Sequence, residues 1–375
     1  MDTNIAYGLM LATLGFFGYI GYQSVSKKEI NSDEYLSARG TQGTMSITLS
    51  LFASGMGIWV LLGPSEVGYY GGFWDVFGYA LSASTPFLLL AYVGPMIRER
   101  LPDGVTLADY AKSRAGRPMQ VYVGLISILY MFTFLFAEFT AIGKVMEILV
   151  GMEPLVPMVA VGIVTAGYTA YGGLPASLET DKIQAWGIMF LITILLFILF
   201  IGDINILISD AKSYTPEDIE WNWYHGSITD TSTFKSGLAL VLAITAAEMF
   251  SQGNWQRAWA SENDKALKKG AISASLIVFP LIFVMGFLGT SVAGQGAVSD
   301  PAVSFFYLIE DIGLVFVISF VILSIALVCS SVDTLQNAII ASLSRDIYDD
   351  KINLSTAKYL TVALIPLAIY LATGP

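Results

Sequence analysis

The chain has 375 residues, of which 55% are hydrophobic and only 13% are charged. Soluble globular domains carry about 25% charged residues, so this composition excludes a water-soluble fold and predicts a protein embedded in lipid. The formal net charge of −11 argues against a nucleic-acid partner. The chain has one cysteine, Cys329, and one histidine, His225, which excludes an internal disulfide and argues against zinc or thiol chemistry.

Apolar stretches of bilayer-spanning length recur along the whole chain, and we count ten of them. They are 4–22, 46–63, 73–96, 121–150, 155–171, 183–202, 237–250, 271–292, 313–343 and 356–373. The first is not a signal peptide, because Lys27 and Lys28 follow it instead of preceding it. We interpret it as a helix that enters the membrane from outside.

The distribution of basic residues predicts the orientation. With the N-terminus outside, all 19 basic residues except Lys144, Lys212 and Lys235 fall in or beside cytoplasmic loops, as the positive-inside rule requires. The long loop between the sixth and seventh spans is then external. Its residues Trp221 and Trp223 predict an anchor at the membrane interface.

Two spans contain Gly/Ser-rich runs, at residues 53–59 and 250–255. Unwound backbone persists in a membrane only where it is buried in protein or lines a cavity, so such runs predict a binding site. Close helix packing through small residues is the alternative. The two runs lie five spans apart in helices of opposite direction, which is the relation that an inverted repeat of five helices produces, and this favours a binding site.

The ninth span carries Ser330, Ser331, Asp333 and Thr334. Hydroxyl and carbonyl oxygens suit a hard cation, whereas hydrogen bonding between helices is the alternative for the hydroxyls. A carboxylate inside a span is costly and therefore indicates function. Asp181, just before the sixth span, either begins a helix, where the dipole favours a negative charge, or is a second cation ligand.

Two more carboxylates, Glu138 and Glu248, lie well inside the fourth and seventh spans. Three roles are open for them: protonated packing groups, proton-coupling groups, and counter-charges for a cationic substrate.

Four parts of the sequence resemble the sodium:solute symporter family, which includes proline, sugar, sialic acid and urea transporters. They are 53–59, 171–173 with 180–185, 254–257, and 330–331 through to 345–348. The last is the most specific, because a hydroxyl pair followed at a fixed distance by an acidic-apolar-Tyr ending is typical of the family's sodium-binding helix. The resemblance covers almost the whole chain.

The resemblance implies an all-α polytopic membrane protein with a leucine-transporter-like core of five plus five inverted-repeat helices, preceded by one extra helix. Residues 1–375 would form a single membrane domain. Its parts would be a leading helix and loop (1–40), a first repeat (41–204), an external loop (205–235) and a second repeat (236–375). Ten spans leave nine for the core, so the second repeat is expected to lack its last helix, as in a fragment or a shortened member.

The resemblance also implies the site residues. One sodium ion would be held by backbone carbonyls and hydroxyls of Ala53, Met56, Leu327, Ser330 and Ser331. A second sodium site would use Asp181, Asp333 and Thr334, with Asp333 departing from the usual hydroxyl. The substrate would lie near Gly55, Trp59, Ser251 and Gln252, with Glu138 and Glu248 reaching it.

Together these patterns predict a symporter of the plasma membrane or bacterial inner membrane that imports a small polar organic solute with Na⁺ as coupling ion. A proton-coupled carrier using Glu138, Glu248 or Asp333 is one alternative, and a membrane-embedded solute sensor is another. An enzyme is not expected, because no span has a nucleophile-base pair or metal-ligand spacing. The intramembrane carboxylates are compatible with an amine, an amino acid or a polar neutral solute.

Overall fold

The computed structural model describes residues 3–25, 30–214, 226–309, 313–349 and 352–374, and this part of the chain is helical throughout, without a β-strand. The helices are α1 (Thr3–Val25), α2 (Ser32–Ser37), α3 (Thr44–Gly55), α4 (Gly63–Tyr70), α5 (Phe73–Arg100), α6 (Leu107–Val150), α7 (Leu155–Ser213), α8 (Gly226–Thr229), α9 (Thr231–Glu248), α10 (Gln252–Ala260), α11 (Asp264–Gln295), α12 (Ser304–Tyr307), α13 (Leu314–Ser342) and α14 (Leu354–Ala372). Single turns of 3-10 helix lie at Ile58–Leu61 and Pro301–Val303, and a π-helical turn, Leu343–Ile347, follows α13. The predicted all-α class is confirmed.

Seven of these helices are long and apolar enough to cross a bilayer, and two bent pairs raise the number to nine within the described residues. The difference from the ten predicted spans arises in α7, which contains both the fifth and the sixth. A straight helix of its 59 residues would be roughly 90 Å long, about three times the thickness of the hydrocarbon core. Gly173 has φ +60°, a left-handed value, so the helix path is interrupted between the two predicted spans.

Both predicted helix breaks are confirmed. The α3 axis turns by 62° into Ile58–Tyr70, and α9 turns by 62° into α10. Glycine is required at the first break because other groups approach the backbone closely. A Cβ at Gly55 would lie 2.6 Å from the Phe87 ring, and one at Gly57 would lie 2.0 Å from Oε1 of Glu138.

Helix α13 lies at the centre of the bundle, and nearly every residue from Phe320 to Ser342 is buried. A helix that is buried on all sides has no solvent-facing polar side, so its polar residues, such as Asp333, face other helices. The outer helices α1 and α14 instead expose large apolar side chains such as Leu11, Phe16 and Tyr359. This is the arrangement that lipid contact requires, in agreement with the composition.

Glycines allow two pairs of helices to touch through their backbones. A Cβ at Gly68 of α4 would lie 1.8 Å from the carbonyl oxygen of Gly286 in α11, and one at Gly78 of α5 would lie 2.3 Å from that of Gly237 in α9. Such contacts leave no room for side chains, so small residues set the distance between these helices.

We expect Gly289→Ala to destabilise the protein by about 1–3 kcal/mol or more through overpacking, because the new Cβ would lie 1.9 Å from the carbonyl oxygen of Ser65. Unfolding in detergent micelles measures the effect. The matched control is Gly187→Ala on α7, where a Cβ would meet nothing within 4 Å; alanine there is expected to be neutral or to stabilise by up to about 1 kcal/mol. Equal losses in the two variants would contradict the backbone contact.

Charged residues from the predicted cytoplasmic loops come together at one end of the bundle. Arg39 pairs with Asp33 at 2.7 Å, and Arg345 of the π-helical turn pairs with Asp109 of α6 at 3.2 Å. The hydrogen bond from Arg39 holds the pKa of the Asp33 carboxyl below its usual value. This common position supports the prediction that these loops lie on the same side of the membrane. The location of the N-terminus outside and the count of ten spans stay predictions.

The predicted external loop, residues 205–235, is partly helical at both of its ends. Helix α7 continues to Ser213, and α8 and α9 begin before residue 235, so much of 205–235 is helical. The predicted interfacial residues Trp221 and Trp223 lie outside the described part of the chain, as do His225, Lys27 and Lys28.

Candidate substrate and sodium sites

A cavity of about 180 Å³ lies between the two helix breaks. Its wall combines the ends of α3 and α9 with side chains of α5, α6, α10 and α13. The lining residues are Ser54, Gly55, Trp59, Tyr79, Ser82, Ala83, Pro86, Phe87, Tyr130, Phe134, Ile244, Glu248, Ser251, Asn254, Ser331, Thr334 and Leu335. The structure therefore brings together the predicted substrate residues Gly55, Trp59, Glu248 and Ser251.

Glu248 is the last residue of α9, and its carboxylate faces this cavity. The hydroxyl of Tyr130 donates to Oε1 at 2.7 Å, and Nδ2 of Asn254 lies 3.4 Å from Oε2. Within the described residues no lysine or arginine forms an ion pair with Glu248. The cavity thus contains a carboxylate that is fixed by neutral donors.

Five aromatic residues form part of the remaining wall. Trp59 packs edge-on against Tyr79, with ring centroids 6.1 Å apart, and the ring centroids of Tyr130 and Phe134 lie 4.8 Å apart. Phe87 closes the wall beside Gly55. The hydroxyl of Ser54, a further lining residue, is buried without a hydrogen-bond partner.

Three of the five predicted sodium ligands meet directly. The hydroxyl of Ser330 lies 3.0 Å from the carbonyl oxygen of Ala53 in α3 and 3.0 Å from that of Leu327, one turn earlier in α13. Met56 is buried in the break after α3, and Ser331 lines the cavity. Neutral oxygen donors from two helices converging in a buried place fit a hard cation such as sodium.

The predicted second sodium site is arranged around an arginine. Asp181 and Arg257 are both fully buried and form an ion pair at 2.9 Å. The same guanidinium donates to Thr334 at 2.7 Å and to Ser50 at 3.0 Å, and Ser50 donates to Asp181 at 2.6 Å. A fixed cation therefore lies between two of the three predicted ligands.

This arrangement corrects the interpretation of two residues. Arg257, which the charge pattern places with the basic residues in or beside cytoplasmic loops, is buried inside the bundle, because α3, α7 and α13 all supply partners for it. Asp181, a possible helix start by sequence, lies within α7 two turns beyond Gly173.

Asp333, the third predicted ligand, faces a cluster of hydroxyls. Tyr168 donates to its carboxylate at 2.6 Å, Ser177 at 2.7 Å and Thr180 at 3.2 Å, all from α7. Among the described residues no basic group forms an ion pair with it. Hydroxyl donors compensate part of the cost of burying this carboxylate.

Glu138, predicted to reach the substrate, and Gln252, predicted to lie near it, do not line the cavity, and their roles at the substrate stay predictions. Oε2 of Glu138 accepts a hydrogen bond from the backbone N–H of Ile58 at 2.9 Å and so satisfies a donor freed by the helix break. Gln252 joins α10 to α6: it accepts from the N–H of Leu107 and donates to Ser127, both at 2.7 Å.

Sequence reasoning missed several functional candidates. Tyr79, Phe87 and Tyr130 line the cavity, but no local pattern distinguishes them from other aromatic residues in spans. Arg257 carried a usable signal, since it ends one of the stretches that resemble the family.

Comparisons with known proteins agree with this geometry. A sequence model of the sodium:solute symporter family matches residues 35–372. The chain is 26% identical to the spermidine transporter of Candida albicans over 98% of its own length and 68% of that protein. It is 27% identical to the sodium/proline symporter of Staphylococcus aureus over 51% of its length and 37% of that protein.

The fold matches a solved structure over nearly its full length. A sodium-coupled sialic acid symporter in a substrate-bound outward-open state superposes with a TM-score of 0.81 at 17% identity, covering 98% of this chain and 81% of the other. The predicted leucine-transporter-like architecture is thereby confirmed.

Proposed function

Because the chain belongs to the sodium:solute symporter family, we propose that it imports a small polar organic solute together with sodium by alternating access. The observation that supports this most directly concerns two adjacent residues. Ser330 contacts the carbonyl oxygens of Ala53 and Leu327, whereas Ser331 lines the cavity. A sodium ion bound by the oxygens of Ser330, Ala53 and Leu327 would therefore order the wall of the solute site. The chain is an integral membrane protein of the plasma membrane or bacterial inner membrane.

Coupling requires that sodium raise the affinity for the solute, and by linkage the solute raises the affinity for sodium by the same factor. A sodium ion that crosses about 100 mV releases roughly 2.3 kcal/mol, and a tenfold concentration gradient adds about 1.4 kcal/mol. One ion could thus support roughly several hundred-fold accumulation of a neutral solute.

We further propose that one sodium ion is transported in each cycle, at the site of Ala53, Met56, Leu327, Ser330 and Ser331. The contact of Arg257 with Asp181 and Thr334 supports this, because the guanidinium supplies the positive charge that a second sodium ion would bring. Removing Arg257 is then the change that would open the second predicted site to sodium.

The relatives do not select the solute. Their names specify spermidine, proline and sialic acid, which differ in charge. Transport, not catalysis, is the activity common to them.

Uptake into proteoliposomes tests the proposal. Spermidine, proline and sialic acid are each offered with an inward sodium gradient, with potassium in its place, or with a proton gradient alone. We expect one of them to accumulate only with the sodium gradient and to leak out when an ionophore collapses it.

The other outcomes select the alternatives. Accumulation driven by protons without sodium would favour a proton-coupled carrier using Asp333, the carboxylate surrounded by hydroxyls. Solute binding that stabilises the protein without any accumulation would favour a sensor.

A further inference from the structure

We infer that the solute is a small organic amine, which the cavity binds as its ammonium ion with Glu248 as counter-charge. This inference rests on the proposed function and names the class of its substrate. Four observations support it: the charge of the lining, the free capacity of the carboxylate, the aromatic wall and the size of the cavity.

The lining contains one carboxyl side chain and no basic one. Glu248 is the one ionisable acid among the lining residues apart from tyrosine phenols, and none of them is lysine, arginine or histidine. A carboxylate inside a membrane protein is costly unless a cation or a substrate compensates it. A solute anion would find no lysine, arginine or histidine in the lining, so the lining favours a cation over an anion.

The Glu248 carboxylate also has free acceptor capacity. Its two oxygens offer about four lone-pair sites, and Tyr130 and Asn254 use two of them. An ammonium group brings three donors, and the unpartnered hydroxyl of Ser54 in the same wall is a further acceptor. Tyr130 holds the carboxylate in place, which makes it a positioning residue.

The aromatic wall suits the same group. The rings of Trp59, Tyr79 and Phe87 attract a cation through their negative faces when it lies within about 6 Å, and they pack against methylene groups. Helix dipoles do not select the charge of the solute, because α3 and α9 end at this cavity while α10 begins there.

The size of the cavity limits the solute. Its volume is about 180 Å³, and a cavity of about 150 Å³ holds benzene, which has six heavy atoms. A short amine with one ammonium group beside Glu248 and an apolar body against the rings fits this space.

The test measures binding of defined probes to the purified full chain in sodium and in potassium at equal ionic strength. Butylamine is compared with 1-butanol, its neutral match in length, and with proline and sialic acid. We expect butylamine to bind in sodium, with at least about tenfold preference over 1-butanol. Equal binding of butylamine and 1-butanol, or stronger binding of proline or sialic acid, would overturn the inference.

Variants of Glu248 test whether its carboxylate recognises the ammonium group of the solute. Glu248→Gln is expected to weaken butylamine binding at least about tenfold and to remove the preference over 1-butanol, while sodium still stabilises the protein. Glu248→Asp is expected to keep the preference for butylamine over 1-butanol at reduced affinity. This variant keeps the carboxylate, so it tests the inference even if the glutamine variant fails to fold. The matched control, Glu153→Gln, lies outside the cavity lining and should bind like the wild type.

The two proposals fail in different ways. Stabilisation by sodium without binding of any amine would reject the amine and retain sodium coupling. Amine binding that is the same in sodium and potassium would retain the amine site and reject sodium coupling. Unchanged amine affinity in Glu248→Gln would reject the role of Glu248.

Discussion

Arg257→Met is expected to destabilise the protein by about 3–5 kcal/mol, because it leaves Asp181 as a buried charge without its counter-charge. The guanidinium also donates to Ser50 and Thr334, so its removal breaks the hydrogen bonds that it makes from α10 to α3 and α13. Equilibrium unfolding in mixed micelles measures the change.

Two comparisons isolate the buried charge. The double variant Arg257→Met/Asp181→Asn removes both charges and should recover most of the loss, since a neutral pair has no charge to desolvate. Arg39→Met breaks an arginine-aspartate pair of similar length in which Asp33 is 54% exposed, and it should cost at most about 1 kcal/mol. A loss that the double variant does not relieve would mean that packing, not charge, stabilises this region.

Ser330→Ala/Ser331→Ala is expected to abolish the sodium-dependent rise in melting temperature. Both hydroxyls are predicted ligands, and Ser330 lies within 3.0 Å of two predicted carbonyl ligands. An ion present at about 100 times its dissociation constant stabilises the folded state by about 2.7 kcal/mol, and this is the quantity that the variant should lose. Melting curves in sodium and potassium at equal ionic strength provide the measurement.

The matched control is Ser324→Ala, on the same helix. Ser324 is fully buried like Ser330, but its hydroxyl has no hydrogen-bond partner, so its loss should leave the response to sodium unchanged. A double variant that keeps the wild-type sodium response would falsify the ion site. If the wild type itself does not distinguish sodium from potassium, sodium coupling is rejected and pH becomes the variable to test.

The helix breaks could be predicted from the sequence because their signal, a run of small residues inside an apolar span, is local. Their neighbours could not be predicted, since Phe87 and Glu138 approach Gly55 and Gly57 from distant parts of the chain. The ion ligands that we propose come from the resemblance, since the Ser330-Ser331 pair is distinctive even without knowledge of its partners.

Tertiary pairings could not be predicted in this way. Arg257 follows an apolar span, and the charge pattern places it in or beside a cytoplasmic loop. Its partner Asp181 lies 76 positions earlier in the chain. The aromatic residues of the cavity wall could not be predicted either, because 13% of the chain is aromatic. Only the packing of α5 and α6 places Tyr79 and Tyr130 at the cavity.

The glycine contacts have a mechanical consequence. Where α4 meets α11 at Gly68 and Gly286, and α5 meets α9 at Gly78 and Gly237, backbone touches backbone with no layer of side chains between them. Sliding motions in proteins proceed by repacking side chains at an interface, and at these glycine contacts there is no side chain to repack. We therefore expect each pair to move as one rigid unit during transport, with the bending confined to the breaks after α3 and α9.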